Sequence, residues 1–303
     1  MSKLLQTARL PFLVPGLGLY LLGGLWALHT GATFSLLPLV VGYLIVLPAH
    51  LSVHFSNDYF DVGSDEPGHS TLISGGGGVL VEHPELRRPV IRIAVGLIIF
   101  SLVVGSIFIW LYHLPAWLLG LLVVGNLIGW FYSAPPMRLS QRGVGEVCYP
   151  LLAGFLVPAI GYMALKGKLD TMGFYLLTPV LLLLLANVMS VEIPDVEADR
   201  RANRRNWLVR LGRPAGFTIM GLLLLGASAY FFLSPRFVPA SGVFQPWVMG
   251  CLSLLPLCVG LTGMIRRPAE QQTATPIAIG LVISSTVFIL LADGYLAWLA
   301  IRA

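Results

Sequence analysis

The sequence predicts an all-α polytopic membrane protein: nine transmembrane helices in a bundle around a central cavity, with polar cap loops on the cytoplasmic side. Three observations predict this. The 303 residues are 56% hydrophobic and only 11% charged, against roughly 25% charged in soluble chains, and mean hydropathy is +0.83. Apolar runs long enough to cross about 30 Å of hydrocarbon recur along the whole length. When those runs are threaded in order, the basic residues collect on one side. The same composition excludes disorder, which needs low hydrophobicity, and three cysteines exclude a disulfide scaffold. A net charge of +5 then reads as membrane topology rather than as nucleic-acid binding.

Pro, Gly and charged positions divide the apolar runs into nine predicted crossings. They lie at about 11–28, 34–56, 89–112, 115–133, 146–165, 172–194, 215–234, 246–265 and 276–300. No short alternating segments of the transmembrane-barrel type occur. The opening MSKLLQTARLPFLVPG has no small-residue cleavage site, so the first run is read as a true helix. With a cytoplasmic N-terminus, Lys3, Arg9, Arg87, Arg88, Arg92, Arg138, Arg142, Arg200, Arg201, Arg204, Arg205, Arg210, Arg213, Arg266 and Arg267 fall inside. Only Lys166, Lys168, Arg236 and Arg302 fall outside. This bias is the positive-inside rule, and one miscounted helix would scramble it.

Two cytoplasmic connections, 57–88 and 195–214, are long, polar and acidic. The first opens NDYFDVGSD, placing Asp58, Asp61 and Asp65 at i, i+3 and i+7 on one face of a continuing helix, beside Asn57. The second opens after VEIPD, with Asp195 and Asp199 four apart and Glu192 three residues upstream. Ionisable groups at the membrane are functional candidates. Both clusters emerge on the same side, so they face each other across one cavity. Oxygen-only ligands without His or Cys favour Mg²⁺, which keeps water and takes phosphate oxygens from a substrate. With Arg200, Arg201, Arg204, Arg205 and Arg210 nearby, the pair reads as a metal–diphosphate site. Positive-inside anchoring is the plainer role for several of those arginines.

The paired motifs resemble those of the UbiA-type intramembrane prenyltransferases, in which NDxxDxxxD is followed by DxxxD. They are carried here by Asn57, Asp58, Asp61 and Asp65, then Asp195 and Asp199. YSAPPMRLSQRGVGE at 132–146 and RRANRRNWLVRLGR at 200–213 fit the same pattern. His69 stands where the family carries a basic residue, and Asn206-Trp207 where it carries Thr-Leu. Arg87 and Arg88 are the candidate substitutes. NDYFD, YSAPPxRL and RGVGE are most similar to prenyltransferases acting on 1,4-dihydroxy-2-naphthoate in menaquinone synthesis. Relatives use homogentisate, 4-hydroxybenzoate, chlorophyllide or glyceryl phosphate.

The resemblance implies one integral-membrane prenyltransferase domain over 1–303. It implies a polyprenyl diphosphate donor, a small aromatic acceptor and Mg²⁺ held by Asp58, Asp61, Asp65, Asp195 and Asp199. Asn57, Glu192, Arg200, Arg204, Arg205 and Arg210 would contact diphosphate or acceptor, with Tyr132 and Arg138 beside the reacting groups. Rival classes are a secondary transporter, which would show internal repeats and a midplane site, and a non-catalytic binding protein.

The remaining candidates read as structural. Glycines 143 and 145 suit a tight turn, and Glu146 suits a helix N-terminus. Glycines 75–78 lack the Gly-Lys-Ser/Thr of a phosphate loop. Cys148, Cys251 and Cys258 read as packing residues without metal spacing, and Asp293 as locally paired or hydrated. His54, one turn before Asn57, is the remaining histidine of interest.

Overall fold

Apolar segments in lipid must satisfy their own backbone groups, so they wind into helices. The computed structural model describes residues 2–62, 78–234 and 244–302. Among these residues, eight helices are long and apolar enough to cross a membrane. They are α1 (Leu10–His29), α2 (Leu36–Asp61), α3 (Pro84–Leu111), α5 (Gly145–Lys166), α6 (Thr171–Arg201), α7 (Arg213–Leu233), α8 (Pro246–Arg266) and α9 (Gln271–Arg302). Between α3 and α5 lies α4 (Trp117–Phe131), apolar but only 15 residues long. The fourth predicted crossing is therefore shorter than expected, about 22 Å at 1.5 Å per residue. Pro115 precedes it and Pro135-Pro136 follow it, so the helix has little room to extend.

The bundle has two main cores. One gathers α1, α6, α7, α8 and α9 around Leu22, Leu183, Met220, Phe288 and Leu296. The other gathers α1, α2, α3, α4 and α5 around Tyr20, Ile45, Phe108, Leu118 and Ile160. Both include α1, whose glycines make its contact with α5. A Cβ on Gly23 would stand 1.9 Å from the Pro158 carbonyl oxygen, and one on Gly161 2.0 Å from that of Tyr20. Small residues let membrane helices approach this closely. Many outward side chains are large and apolar, with Trp110, Ile265 and Ile301 all more than three-quarters exposed.

Two helices run past their predicted crossings, and both extensions shape the site. The second predicted crossing ends at 56 with its helix expected to continue, and α2 does run on through Asn57 and Asp58 to Asp61. The sixth continues past 194, its winding tightening over Ile193–Asp195 before a final turn, Val196–Arg201. Pro194 supplies no N–H there, which accounts for the break in regular winding.

Candidate active site

A third, smaller core fixes the N-terminal segment against α2: Ala8 packs with Phe55, Leu80, Val90 and Ala94. Arg9, in the left-handed region at φ 46, lies beyond it and donates to the buried Asp58 carboxylate. One turn on, Asp61 accepts from the Ser133 hydroxyl at 2.8 Å. Asp199, buried at the end of α6, accepts from the Asn206 amide at 2.6 Å. The Arg204 guanidinium lies 3.2 Å from Asp199 and 3.9 Å from Asp61. The two aspartate motifs, far apart in sequence, are thus joined through one cation at one end of the bundle.

The loops around them are closed by a second set of contacts. Arg205 N–H donates to the Gln141 carbonyl at 2.8 Å. The Trp207 indole donates to the Gly143 carbonyl at 2.9 Å, and its backbone N–H donates to the fully buried Glu146. Gly143 is required at this contact: its φ is +77, and a Cβ would come within 2.8 Å of the Arg205 carbonyl oxygen. Asn206 caps the short helix Trp207–Leu211 by accepting from Val209 N–H at 2.8 Å. Buried Arg213 grips Glu197 with both terminal nitrogens and donates to the Ile193 carbonyl at 3.0 Å. That ties the start of α7 to the end of α6.

The other candidate residues are distributed around this centre. Arg200, Arg205 and Arg210 are exposed and, unlike Arg204, form no ion pair with the aspartates among the described residues. Arg204 reaches both aspartate motifs. Arg205 and Arg210 turn instead to the 132–146 loop and line a cleft of about 500 Å³ with Arg138, Arg142, Gln141 and Asn203. Glu192 acts electrostatically on Tyr132, and Glu146, Asp199, Arg204 and Asp195 are the charges that act on it. Burial, then the charges of Glu192 and Glu146, hold the Tyr132 hydroxyl well above the usual phenol value, so it keeps its proton.

Glu146 is a buried acceptor for a neighbouring loop, not a simple complement to the helix start. Cys148 is buried as expected, whereas Cys251 and Cys258 lie exposed on α8. Asp293 is buried, and its Oδ1 has no hydrogen-bond partner among the described residues. Arg87 donates to the Leu80 carbonyl at 3.4 Å. Asp65, His69 and glycines 75–77 lie outside the described residues. The sequence reading passes over Arg9, Ser133 and Asn206 as site components. Ser133 and Asn206 sit within the 132–146 and 200–213 motifs, but only folding reveals their partners.

Asn57 Oδ1 and Glu192 Oε2 are buried oxygens without a hydrogen-bond partner among the described residues. Opposed carboxylates and orphaned oxygens suit a hard, oxygen-ligated cation such as Mg²⁺. Among the described residues no three His, Cys, Asp or Glu side chains form a ready metal-binding group; Asp65 is beyond them. The arginines on Asp58, Asp61 and Asp199 already neutralise much of the acidic charge.

The model of the UbiA prenyltransferase family matches residues 17–279. The chain belongs to that family. The UbiA fold also recurs among solved structures. A UbiA homologue from Archaeoglobus fulgidus bound to GPP and Mg²⁺ superposes with a TM-score of 0.66 at 17% identity, covering 96% of this chain and 99% of the other. A digeranylgeranylglyceryl phosphate synthase gives 0.69 at 16% identity, with 96% of each chain covered. An apo UbiA homologue from Aeropyrum pernix K1 gives 0.63 at 14% identity, covering 90% and 97%. Among curated proteins no sequence match is found. Family membership makes the chain a multi-pass membrane prenyltransferase of the UbiA type.

Proposed function

We propose that this UbiA-family protein transfers a polyprenyl group from polyprenyl diphosphate to an aromatic acceptor of quinone biosynthesis, of the dihydroxynaphthoate type, releasing diphosphate. The observation that carries the reading is the meeting of Asp61 and Asp199 at one guanidinium. It brings two acidic helix ends together, as holding a cation-bound diphosphate requires. The A. fulgidus homologue was solved with GPP and Mg²⁺ and also with DMAPP and Mg²⁺, which supports the donor class and the metal.

Asp58, Asp61, Asp195 and Asp199 would hold Mg²⁺, with Asp65 completing the first motif. When bound, the metal neutralises diphosphate charge and so eases loss of the leaving group. Arg204 supplies a further positive charge at the mouth of the site, and Arg9 fixes Asp58. Tyr132 keeps its proton and so acts as a hydrogen-bond donor rather than an anion. The bundle holds the isoprenoid chain among apolar side chains and excludes the water that would quench an allylic cation. The acceptor ring then forms the new C–C bond at the allylic carbon as the C–O bond to diphosphate breaks, and the displaced ring proton leaves to solvent.

The whole chain, 1–303, acts as one domain in this reading, with the aspartate end at the cytoplasmic face of the cell membrane, in accord with the positive-inside count. The test is incubation of purified protein with Mg²⁺, radiolabelled polyprenyl diphosphate and a panel of acceptors. The panel holds dihydroxynaphthoate, 4-hydroxybenzoate, homogentisate and glyceryl phosphate compounds. Labelled naphthoate product from wild type and none from Asp61→Ala is expected. No diphosphate release with any acceptor would overturn the reading.

A further inference from the structure

The resemblance leaves open whether the arginine cleft beside the aspartates meets diphosphate or acceptor, and it says nothing of Arg142. Two separate loops build it: Arg138 and Arg142 come from the loop after α4, Asn203, Arg205 and Arg210 from the segment after α6. The Arg205 N–H to Gln141 bond joins the two walls. Arg210 donates to the Arg142 carbonyl at 3.1 Å, and Arg142 to the Pro136 carbonyl at 2.9 Å. No carboxylate lines the cleft, and none of its four guanidiniums is ion-paired among the described residues. Arg138 and Asn203 sit in the left-handed region, at φ 43 and 54. Non-glycine residues hold that conformation at a cost and concentrate at functional sites.

The geometry points to this cleft as the seat of the acceptor's anionic group, an aryl carboxylate, held by Arg142, Arg205 and Arg210 while Arg138 faces the aspartate site. The assignment rests on the aromatic-acceptor reading above and names the part of the acceptor that is recognised. Guanidinium forks match planar carboxylates with two parallel hydrogen bonds. The cleft, about 500 Å³, is open and polar, with room for more than a single ion. The cleft also adjoins the chemistry. The loop that carries Arg138 and Arg142 starts at Tyr132 and Ser133, Ser133 bonds Asp61, and Arg138 is among the charges acting on Asp61. A polar, open cleft admits a water-soluble aromatic acid, whereas the isoprenoid donor is drawn from lipid.

The test uses the full chain in detergent without Mg²⁺, with 1-hydroxy-2-naphthoate and its decarboxylated counterpart 1-naphthol as probes in equilibrium dialysis. The naphthoate binds wild type, and binds Arg205→Gln about tenfold more weakly, the scale of one lost charged hydrogen bond. The naphthol does not distinguish the two proteins. The Arg205 side chain makes no hydrogen bond to the described residues, so this variant leaves the loops intact; Arg142→Gln is the second. In turnover with Mg²⁺, both variants raise the acceptor KM and leave the donor KM within about twofold.

A raised donor KM instead would assign the cleft to diphosphate and overturn the inference. So would equal loss of naphthoate and naphthol binding. Loss of phosphatidylglycerol-vesicle binding with naphthoate binding unchanged would assign it to lipid headgroups and overturn the inference as well. Absence of turnover with every aromatic acceptor defeats the activity reading itself. Normal turnover with an unchanged acceptor KM in Arg205→Gln defeats only the cleft.

Discussion

Glu146, fully buried at the start of α5, accepts the backbone N–H of Trp207 from the loop after α6. This bond and the Trp207–Gly143 bond hold together the two loops that carry Arg138 and Arg204. Glu146→Ala leaves the Trp207 N–H without its acceptor and frees the 200–206 segment. We expect kcat/KM for diphosphate release to fall about tenfold, the effect of losing a charged hydrogen bond. Trypsin cleavage in that segment should accelerate. Glu146→Gln keeps an accepting oxygen and should retain most activity. Equal loss in both variants would mean that the negative charge itself, not the loop contact, is what matters.

Asp61 and Asp199 share the Arg204 guanidinium, so replacing either leaves one side of the site without its opposing carboxylate. Asp61→Asn and Asp199→Asn should each lower diphosphate release by about 10²-fold or more, as for loss of a principal electrostatic group. EDTA should abolish release in wild type and added Mg²⁺ restore it. Mg²⁺ with diphosphate should raise the unfolding temperature of wild type and not of the two variants. A normal thermal shift in Asp61→Asn would remove Asp61 from the metal site.

The membrane bundle follows from composition because lipid leaves a chain few choices of backbone structure. Among the described residues, the apolar runs become eight helices of membrane length and the shorter α4. The aspartates are legible because charge is scarce, so the clusters at 57–65 and 195–199 stand out. Arginine placements are not, for a geometric reason. Arg204 and Arg205 are adjacent in sequence, yet one faces Asp199 and the other lines a cleft against the 132–146 loop. Which way each points depends on the left-handed Asn203 between Ala202 and Arg204, and no composition or spacing rule reports that. Arg9 is hidden for a similar reason: as one positive charge near the N-terminus it serves topology equally well, and only the Ala8–Phe55 packing brings it to Asp58. Glu146 resembles an ordinary helix-start acid because its partner lies in a distant loop.

The α1–α5 crossing sets a stability prediction. Gly161 has the Tyr20 carbonyl oxygen 2.0 Å from where a Cβ would be, so Gly161→Ala must push two backbones apart. Overpacking of this kind costs about 2 kcal/mol, and the unfolding temperature in detergent should drop by several degrees. Gly120→Ala on α4, with nothing within 4 Å of the added Cβ, is the matched control. It should be neutral or slightly stabilising, since Ala favours helix over Gly. An undiminished Gly161→Ala would mean that the helices separate without cost.

At the opposite end of the bundle, Asp170 caps α6. Its Oδ1 accepts from Met172 and Gly173 N–H at 3.1 Å each and from the Tyr162 hydroxyl at 2.7 Å. Partial burial raises its pKa, but the Tyr162 hydroxyl, the Gly173 N–H and nearby Lys166 outweigh that and hold it below the usual aspartate value. A carboxylate whose pKa is lowered by folding stabilises the fold above its unfolded value, and that contribution fades as pH falls through the folded one. Asp170→Ala should therefore cost about 1 kcal/mol near neutral pH, the scale of a lost N-cap. The gap to wild type should hold down to about pH 4 and narrow below it, as Asp170 takes up a proton and the cap loses its charge. Thermal unfolding of both proteins from neutral pH down through the aspartate range measures this directly. A gap that stays constant throughout would show that the cap works through hydrogen-bond geometry alone, without help from the ionised carboxylate.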